Sequence, residues 1–458
     1  MSRTRLFGTD GIRGRAGEGV LSPASVSAIG RAVGQVLGSR TPDAARRRAL
    51  LGHDGRRSGP GLLDALARGL SASGYEVVSA GLITTPGLAL LGRLQEFDAA
   101  LMVSASHNPA EDNGIKVFHG TGDKLADELE DEIEARLAAD PSPVEEGPAP
   151  VLDGQLELAY LEHLTRACRS LKLHGLSLIL DCANGGGSRV APRVFGRLGA
   201  HVTAIAAEPD GDNINAGCGA TSLEYLQGEV RRHGAQLGVA LDGDGDRCML
   251  VDEAGEIVNG DAILTLLALH AHREKKLPGG RIVATVMSNR GLHRALREEG
   301  IGVVTVDVGD RRVVEGLRRE GLGLGGEQSG HVIFGGDNFH IGDGIYTALR
   351  VLRVLRATGL PLSELAASYR AFPQVLVNVR VTHKPSLRGI PAVAEAVQAV
   401  EEELGEDGRV LLRYSGTEDL ARVMVEGADA DWIGARAQEL ADLIAREIGA
   451  RATSSTQP

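Results

Sequence analysis

Three carboxylates alternate with glycine in Asp242-Gly243-Asp244-Gly245-Asp246-Arg247. In an extended or curved loop, alternate side chains project to one side. Carboxylates crowded in this way repel one another unless a cation neutralises them, and an all-oxygen ligand set favours Mg²⁺ or Ca²⁺ over zinc. A second run, Ser104-Ala105-Ser106-His107-Asn108-Pro109, offers hydroxyls at a tight turn, because Pro109 pushes Asn108 out of the helical region. A caged hard cation beside a serine nucleophile is equipment for phosphate chemistry. Plainer readings stand beside it: a solvated acidic turn, and a loop whose hydroxyls cap backbone groups. The acidic run also mimics a calcium-hand loop, with Glu253 at its twelfth position. Arg247 stands there at the sixth position, where such a loop requires glycine, and Gln236 to Leu241 reads as a strand rather than a helix.

Other loops carry polar groups of useful types. Gly325-Gly-Glu327-Gln328-Ser329-Gly-His331 has glycines that let backbone approach a ligand, and its alternating Glu327, Ser329 and His331 suit sugar hydroxyls. By itself the segment equally reads as a hairpin turn with polar dressing. Arg413-Tyr-Ser415-Gly416-Thr417-Glu418, followed by Arg422, has the parts of a phosphate cradle: guanidinium forks and glycine-freed amides. The spacing of a P-loop is absent, and a surface hairpin with ion pairs is the competing reading. Arg13 lies in the glycine-flanked turn Phe7 to Gly14, Lys116 follows the serine run, and Val308-Gly-Asp-Arg311 is a further basic turn.

These loops need a scaffold. The chain has 458 residues, too many for one ordinary core. Hydrophobic residues make up 43% and charged residues 24%, which is ordinary for a globular protein, while aromatics are only 3%, so the cores must be built from small aliphatics. The net charge of −12 argues against a nucleic-acid surface. Cys168, Cys182, Cys218 and Cys248 show no paired spacing, which fits a reducing cytoplasm. No signal core opens the chain, and no apolar run approaches the roughly 20 residues of a membrane helix.

Before the proline-rich stretch 141–150, helical patterns (Ala24 to Leu37, Gly61 to Ser73, Leu125 to Ala138) alternate with short apolar runs (Ala49 to Leu51, Glu76 to Val78, Ala99 to Val103). Such alternation predicts crossover units and mainly parallel sheets. It restarts twice. Strands are expected at Ser177 to Leu180, His201 to Ile205, Leu237 to Leu241, Arg281 to Val286 and Val303 to Val306, and helices at Val190 to Leu198, Asp261 to Glu274 and Gly344 to Thr358. The end differs: Val375, Val377, Val379 and Val381 alternate as in a half-buried strand, with helical patterns at Ile390 to Leu404 and Ala428 to Ile448. The expected fold class is therefore α/β: three related α/β domains with mixed, mainly parallel sheets (1–150, 151–258 and 259–370) and a smaller C-terminal α+β domain (371–458). The serine loop should follow a strand's carboxyl end, where α/β sheets bind ligands, leaving Ser106 exposed beside His107.

Taken in order along the chain, these loops and Asp181-Cys-Ala-Asn-Gly185 resemble the α-D-phosphohexomutase family from Phe7 to about Gly427, and most closely its branch acting on glucosamine phosphates. The resemblance implies four domains around a central cleft and an isomerase that interconverts glucosamine 6-phosphate and glucosamine 1-phosphate for amino-sugar nucleotide (UDP-N-acetylglucosamine) synthesis. It implies a phosphorylated Ser106 that holds one Mg²⁺ with Asp242, Asp244 and Asp246, and a glucosamine 1,6-bisphosphate intermediate. Glu327 and Ser329 would contact sugar hydroxyls. Arg413, Ser415, Gly416, Thr417 and Arg422 would grip the distant phosphate. Arg13, Lys116 and Arg247 would line the reacting one, with Lys116 or His331 as acid/base. The partner is a small sugar phosphate, with no nucleic acid or membrane; a homodimer and an activating kinase remain open. A phosphomannomutase/phosphoglucomutase of the same family is the alternative, and a non-catalytic sugar-phosphate or metal-binding protein a remote one. Departures from the family pattern are Asp419 (commonly Pro), Tyr414, His340-Ile341 before Gly342-Asp-Gly344, and His53 (often Arg).

Overall fold

The computed structural model describes residues 5–8, 10–40, 46–336, 340–415, 419–448 and 452–453. The chain forms two compact units, residues 1–287 with 301–368, and residues 288–300 with 369–458.

The first unit is built on three sheets. The first contains β1 (Ile12–Arg15), β2 (Arg47–His53), β3 (Tyr75–Leu82), β4 (Ala99–Val103), β5 (Asp112–His119) and β6 (Val151–Leu152), in the spatial order β1-β5-β4-β2-β3-β6. Strands β4, β2, β3 and β6 run parallel, while β5 and β1 are antiparallel additions at one side. The second sheet contains β7 (Ser177–Asp181), β8 (His201–Ile205), β9 (Leu237–Leu241), β10 (Cys248–Asp252) and β11 (Ile257–Val258), ordered β11-β10-β9-β7-β8. Its centre is parallel, and β10 and β11 turn back antiparallel. The third contains β12 (Arg281–Thr285), β13 (Gly302–Val306), β14 (Leu324–Gly326) and β15 (Val332–Phe334), ordered β13-β12-β14-β15, with only β15 antiparallel.

Local chemistry sets the helix limits. Ser22, Thr84, Asn259 and Asp343 each accept a backbone N–H two or three residues inside the helix they open. Pro23 and Pro86 occupy first turns, where a missing N–H costs nothing. Gly234, Gly321 and Gly359 close three helices in the left-handed conformation. The strands entering the functional loops, β4 and β9, are buried along their whole length, as parallel strands covered on both faces should be. The segment 141–150 carries no helix or strand and is mostly exposed.

The second unit holds an antiparallel sheet of β16 (Gln374–Arg380), β17 (Arg409–Tyr414), β18 (Leu420–Glu426) and β19 (Ala452–Thr453), ordered β17-β18-β16-β19. Val377, Val379 and Val381 point into its core with Val423, Val425, Leu440 and Ile444, as the alternating valines predict. Helices Pro391–Leu404 and Ala430–Ile448 contribute to that core. Helix Arg290–Glu298 belongs to this unit, tied to it by Arg297–Asp407 at 2.9 Å and by the Arg290 amide on the Glu426 carboxylate.

Candidate active site

β4 delivers the serine loop and β9 the acidic loop, so each functional run follows the carboxyl end of a buried strand. Ser106 is not exposed, as the turn-rich sequence implies, but 1% accessible. The loop folds against the acidic run, and the Ser106 hydroxyl donates to Asp242 Oδ2 at 2.6 Å. Ser106 adopts a left-handed backbone, φ +53°, uncommon for a residue with a Cβ. The contact depends on Gly243: a Cβ there would lie 2.6 Å from the Ser106 carbonyl oxygen. Asn215 Nδ2 donates to the carbonyls of Ser106 and Asn108 at 2.9 and 3.1 Å.

Asp242, Asp244 and Asp246 are all buried and offer carboxylate oxygens within 4.8 Å of one another. Asp244 Oδ1 and Asp246 Oδ1 have no hydrogen-bond partner among the described residues. Burial, then the neighbouring Asp246 and Asp244, push the Asp242 carboxyl well above the ordinary range. A buried trio of carboxylates with orphaned oxygens and no soft ligand in the group fits a hard divalent cation. The calcium-hand alternative fails: β9 precedes the loop, and Glu253 turns away to receive the Ser363 amide at 3.3 Å and its hydroxyl.

Lys116, on β5, lies at 2.7 Å from Asp244, 3.4 Å from Asp246 and 3.0 Å from Asp10. Burial disfavours its charge, but Asp10, Asp244 and Asp246 outweigh that and hold the ammonium well above the ordinary lysine range. The Asp244 carboxylate is raised by burial and lowered more by Lys116, ending below its usual range; it also accepts from the Thr85 hydroxyl at 2.5 Å. The Arg247 amide donates to Asp242 Oδ1 at 3.1 Å, and its Nε lies 3.9 Å from Asp246. Arg13 pairs with Asp10 and donates to Asn108 Oδ1 at 3.0 Å. His107 Nδ1 is 3.4 Å from Ser106 Oγ, and burial, Arg247 and Arg13 depress its imidazole to about 4.

The segment after β14 is a hairpin turn, as its plainer reading has it, and also carries polar groups to a cavity. Glu327 accepts from the Gly309 amide at 3.1 Å, and His331 Nδ1 lies 3.8 Å from Asp246. Glu327, His331, Arg247, Arg13, His107 and Asp246 line one cavity of about 410 Å³. Ser329, half-buried, is not among its lining residues. Arg311 turns elsewhere, pairing with Glu130 at 2.5 Å and with Asp127, both on the helix Asp127–Ala139.

In the second unit, Arg413 on β17 stands opposite Arg422 on β18. The Ser415 amide donates to Leu420 O at 2.8 Å, and Lys384 Nζ reaches the Ser415 carbonyl at 3.3 Å. Gly416, Thr417 and Glu418 lie outside the described residues. Among the departures from the family pattern, Tyr414 donates its hydroxyl to Pro385 O at 2.7 Å, Asp419 lies 3.5 Å from Lys384, and His53 Nδ1 accepts from the Gly55 amide at 3.1 Å. Sequence reading missed Asp10, Thr85, Asn215 and Lys384. Asp10 lies inside a turn that was singled out for Arg13 alone; the other three carry no local signal.

Among the described residues no helix is long and apolar enough to cross a membrane. Four domain families match the chain: phosphoglucomutase/phosphomannomutase α/β/α domain I over residues 4–143, domain II over 158–255, domain III over 259–372 and the C-terminal domain over 376–443. A phosphoglucosamine mutase of Rhodococcus opacus is 48% identical over 449 residues, covering 96% of this chain and 99% of the relative. A phosphoglucomutase/phosphomannomutase family protein from Burkholderia thailandensis superposes with a TM-score of 0.80 at 26% identity, over 99% of this chain and 100% of that one. The N-acetylphosphoglucosamine mutase of Aspergillus fumigatus, solved with GlcNAc-6P and magnesium, shares the fold with a TM-score of 0.62 at 20% identity, over 96% and 95% of the two chains. Four domain models spanning most of the chain, and a relative 48% identical over 96% of it, show that the chain belongs to the phosphoglucomutase/phosphomannomutase family, the α-D-phosphohexomutases.

Proposed function

We propose that this protein is a phosphoglucosamine mutase that moves a phosphoryl group between the O6 and O1 positions of glucosamine phosphate through phosphorylated Ser106. The observation that carries the reading is the 2.6 Å contact between the Ser106 hydroxyl and Asp242 within a buried trio of carboxylates. The 48% identity to the Rhodococcus opacus enzyme over 96% of this chain supports the amino-sugar substrate. The domains are taken as 1–150 bearing the serine, 151–258 bearing the acidic loop, 259–370 bearing the sugar loop, and 371–458 bearing the phosphate loop.

In the forward step a sugar hydroxyl attacks phosphorus, the bond from phosphorus to Ser106 Oγ breaks, and glucosamine 1,6-bisphosphate forms. Reversal with the sugar turned end for end returns the other phosphate to Ser106. Phosphoryl transfer asks for positioning and charge neutralisation more than covalent chemistry. Arg13 and Arg247 supply positive charge to the transferred group. Lys116, held as an ammonium, gives a proton to the departing serine oxygen, and the attacking hydroxyl's proton goes to His331, or to Lys116 once it has released its own. Glu327 and Ser329 orient sugar hydroxyls. Arg413, Ser415, Gly416, Thr417 and Arg422 hold the non-reacting phosphate. Asp242, Asp244, Asp246 and the serine phosphate would hold one Mg²⁺, which supplies charge neutralisation when bound. The four free, buried cysteines suit a cytoplasmic setting.

Turnover on glucosamine 6-phosphate, glucose 6-phosphate and mannose 6-phosphate, each with its 1,6-bisphosphate activator, tests the reading. We expect kcat/KM on the amino sugar to exceed the others by ~10-fold or more, the scale of one specific polar contact. Equal or better turnover on glucose or mannose phosphate makes it a phosphoglucomutase/phosphomannomutase. Full turnover by Ser106→Ala removes the phosphoserine mechanism altogether.

A further inference from the structure

Behind the serine loop lies an arginine that touches none of the cavity. Arg56 is fully buried, 0% exposed, and its guanidinium has five N–H donors. All five are used. Nε donates to Asp54 Oδ2 at 2.9 Å. Nη2 donates to the carbonyls of Ser106 at 3.0 Å and Asn108 at 2.8 Å, and Nη1 to those of Asp112 at 2.9 Å and Pro109. Four carbonyls of one short loop therefore converge on a single cation. The other side of Ser106 is held by the same ion pair. Its amide donates to Ser104 Oγ at 2.9 Å, and Ser104 in turn donates to Asp54 Oδ2 at 2.5 Å.

We propose that Arg56, with Asp54 and Ser104, is the positioning element that locks the Ser106 backbone in its transfer-competent shape, whether or not the serine carries phosphate. The inference rests on Ser106 being the nucleophile. A left-handed backbone at a residue with a Cβ is unfavourable and persists only where the surroundings over-determine it. Here both the N–H and the C=O of Ser106 are tied to one buried ion pair, which aims Oγ at Asp242. Every one of the loop's ties to Arg56 is through main chain, so phosphorylation of the side chain leaves the clamp intact. The nucleophile is then the same structure at the start and end of each half-reaction, and no loop rearrangement is needed between them. Ser104 acquires a role as well: its hydroxyl is already committed on both sides and is a strut rather than a second phosphate acceptor.

The test uses the full-length enzyme and the variants Arg56→Lys, Ser104→Ala and Ser104→Thr, with Ser106→Ala as control. Three quantities are read: kcat and KM for glucosamine 6-phosphate, the rate of single-turnover phosphoryl transfer from the bisphosphate to the enzyme by intact mass, and the melting temperature. A misplacement of the nucleophile should lower kcat and the transfer rate by about 10- to 100-fold in Ser104→Ala, and by more in Arg56→Lys, with KM within about threefold. Ser104→Thr keeps the hydroxyl and should recover most of the loss. A merely structural role would lower the melting temperature and leave the transfer rate of the folded enzyme unchanged; that result overturns the inference. If Arg56→Lys does not fold, the Ser104 pair decides the matter alone. An inactive Ser106→Ala with fully active Ser104→Ala sinks only this inference, whereas an active Ser106→Ala sinks the phosphoserine reading itself.

Discussion

The Ser106 hydroxyl and the Asp242 carboxylate meet at 2.6 Å, although they are carried by different sheets, β4 of the first and β9 of the second. Neither sheet alone brings the hydroxyl and the carboxylates together. The acidic loop contributes charge density with unsatisfied oxygens, and the serine loop contributes a buried hydroxyl.

Divalent cation should stabilise the protein through the acidic loop. A ligand at 100 times its Kd adds about 2.7 kcal/mol to the folded state. Titrating Mg²⁺ into chelator-treated protein should therefore raise the melting temperature to a plateau, and Asp246→Asn should remove most of that rise. A chelator-treated wild type that ignores Mg²⁺ would contradict the metal assignment.

Lys116 offsets Asp10, Asp244 and Asp246 in a buried setting. Lys116→Met leaves those carboxylates without their shared cation, a change that costs about 3–5 kcal/mol for a buried pair. In the proposed mechanism it also removes a proton donor, worth about 10² to 10⁴ in rate. Denaturant midpoints should fall and kcat should collapse together; an unchanged midpoint would mean that the carboxylates are neutralised by something else.

The phosphate loop should act on binding before it acts on rate. Losing a hydrogen bond to a charged group costs roughly 1.5–3 kcal/mol. Arg413→Ala and Arg422→Ala are each expected to raise KM for the sugar phosphate by about 10- to 100-fold while Ser106 still accepts phosphate from excess bisphosphate. Normal KM in both variants would relocate the phosphate site.

Asp181 gives a pH signature. Its carboxyl is raised from 3.8 to about 6 by burial, against two backbone amides that lower it. A raised folded value means that its contribution to stability is complete below pH about 3.8 and is lost as pH rises through about 6, a loss of about 3 kcal/mol at 1.36 kcal/mol per unit. Asp181→Asn abolishes this titration. The stability of wild type relative to the variant should accordingly decline from pH 4 to pH 7. The variant also misplaces one of the amide bonds from Ala183 and Gly219, but that offset is independent of pH, so the slope is the diagnostic. Parallel curves would show that Asp181 is not perturbed.

Much of this arrangement is legible in the sequence because it is local. Strands β4, β8 and β9 appear at the limits that their apolar runs set, and the acidic trio shares a face because its residues alternate. Helix Thr85–Leu94 is hidden by its own opening: Thr84, Thr85, Pro86 and Gly87 look like a turn, yet Thr84 caps and Pro86 occupies the first helical turn. The helix Asp310–Glu320 is hidden by its arginines, since it buries only a narrow stripe of Val313, Gly316 and Leu317. The burial of Ser106 and the reach of Arg56 to Asn108 and Pro109 are tertiary facts. Arg56 is separated from those carbonyls by more than 50 positions in the chain, and no periodicity encodes that distance. Asn215 is more remote still, 109 positions from Ser106.

Because the guanidinium of Arg56 bonds only main-chain oxygens of the loop, its own grip is indifferent to the side chains that the loop turns outward. Substituting Ala110, half-exposed, or Glu111, exposed, removes none of the four carbonyls that Arg56 holds. Outward variety and a fixed hydroxyl position are thereby separable within one short loop.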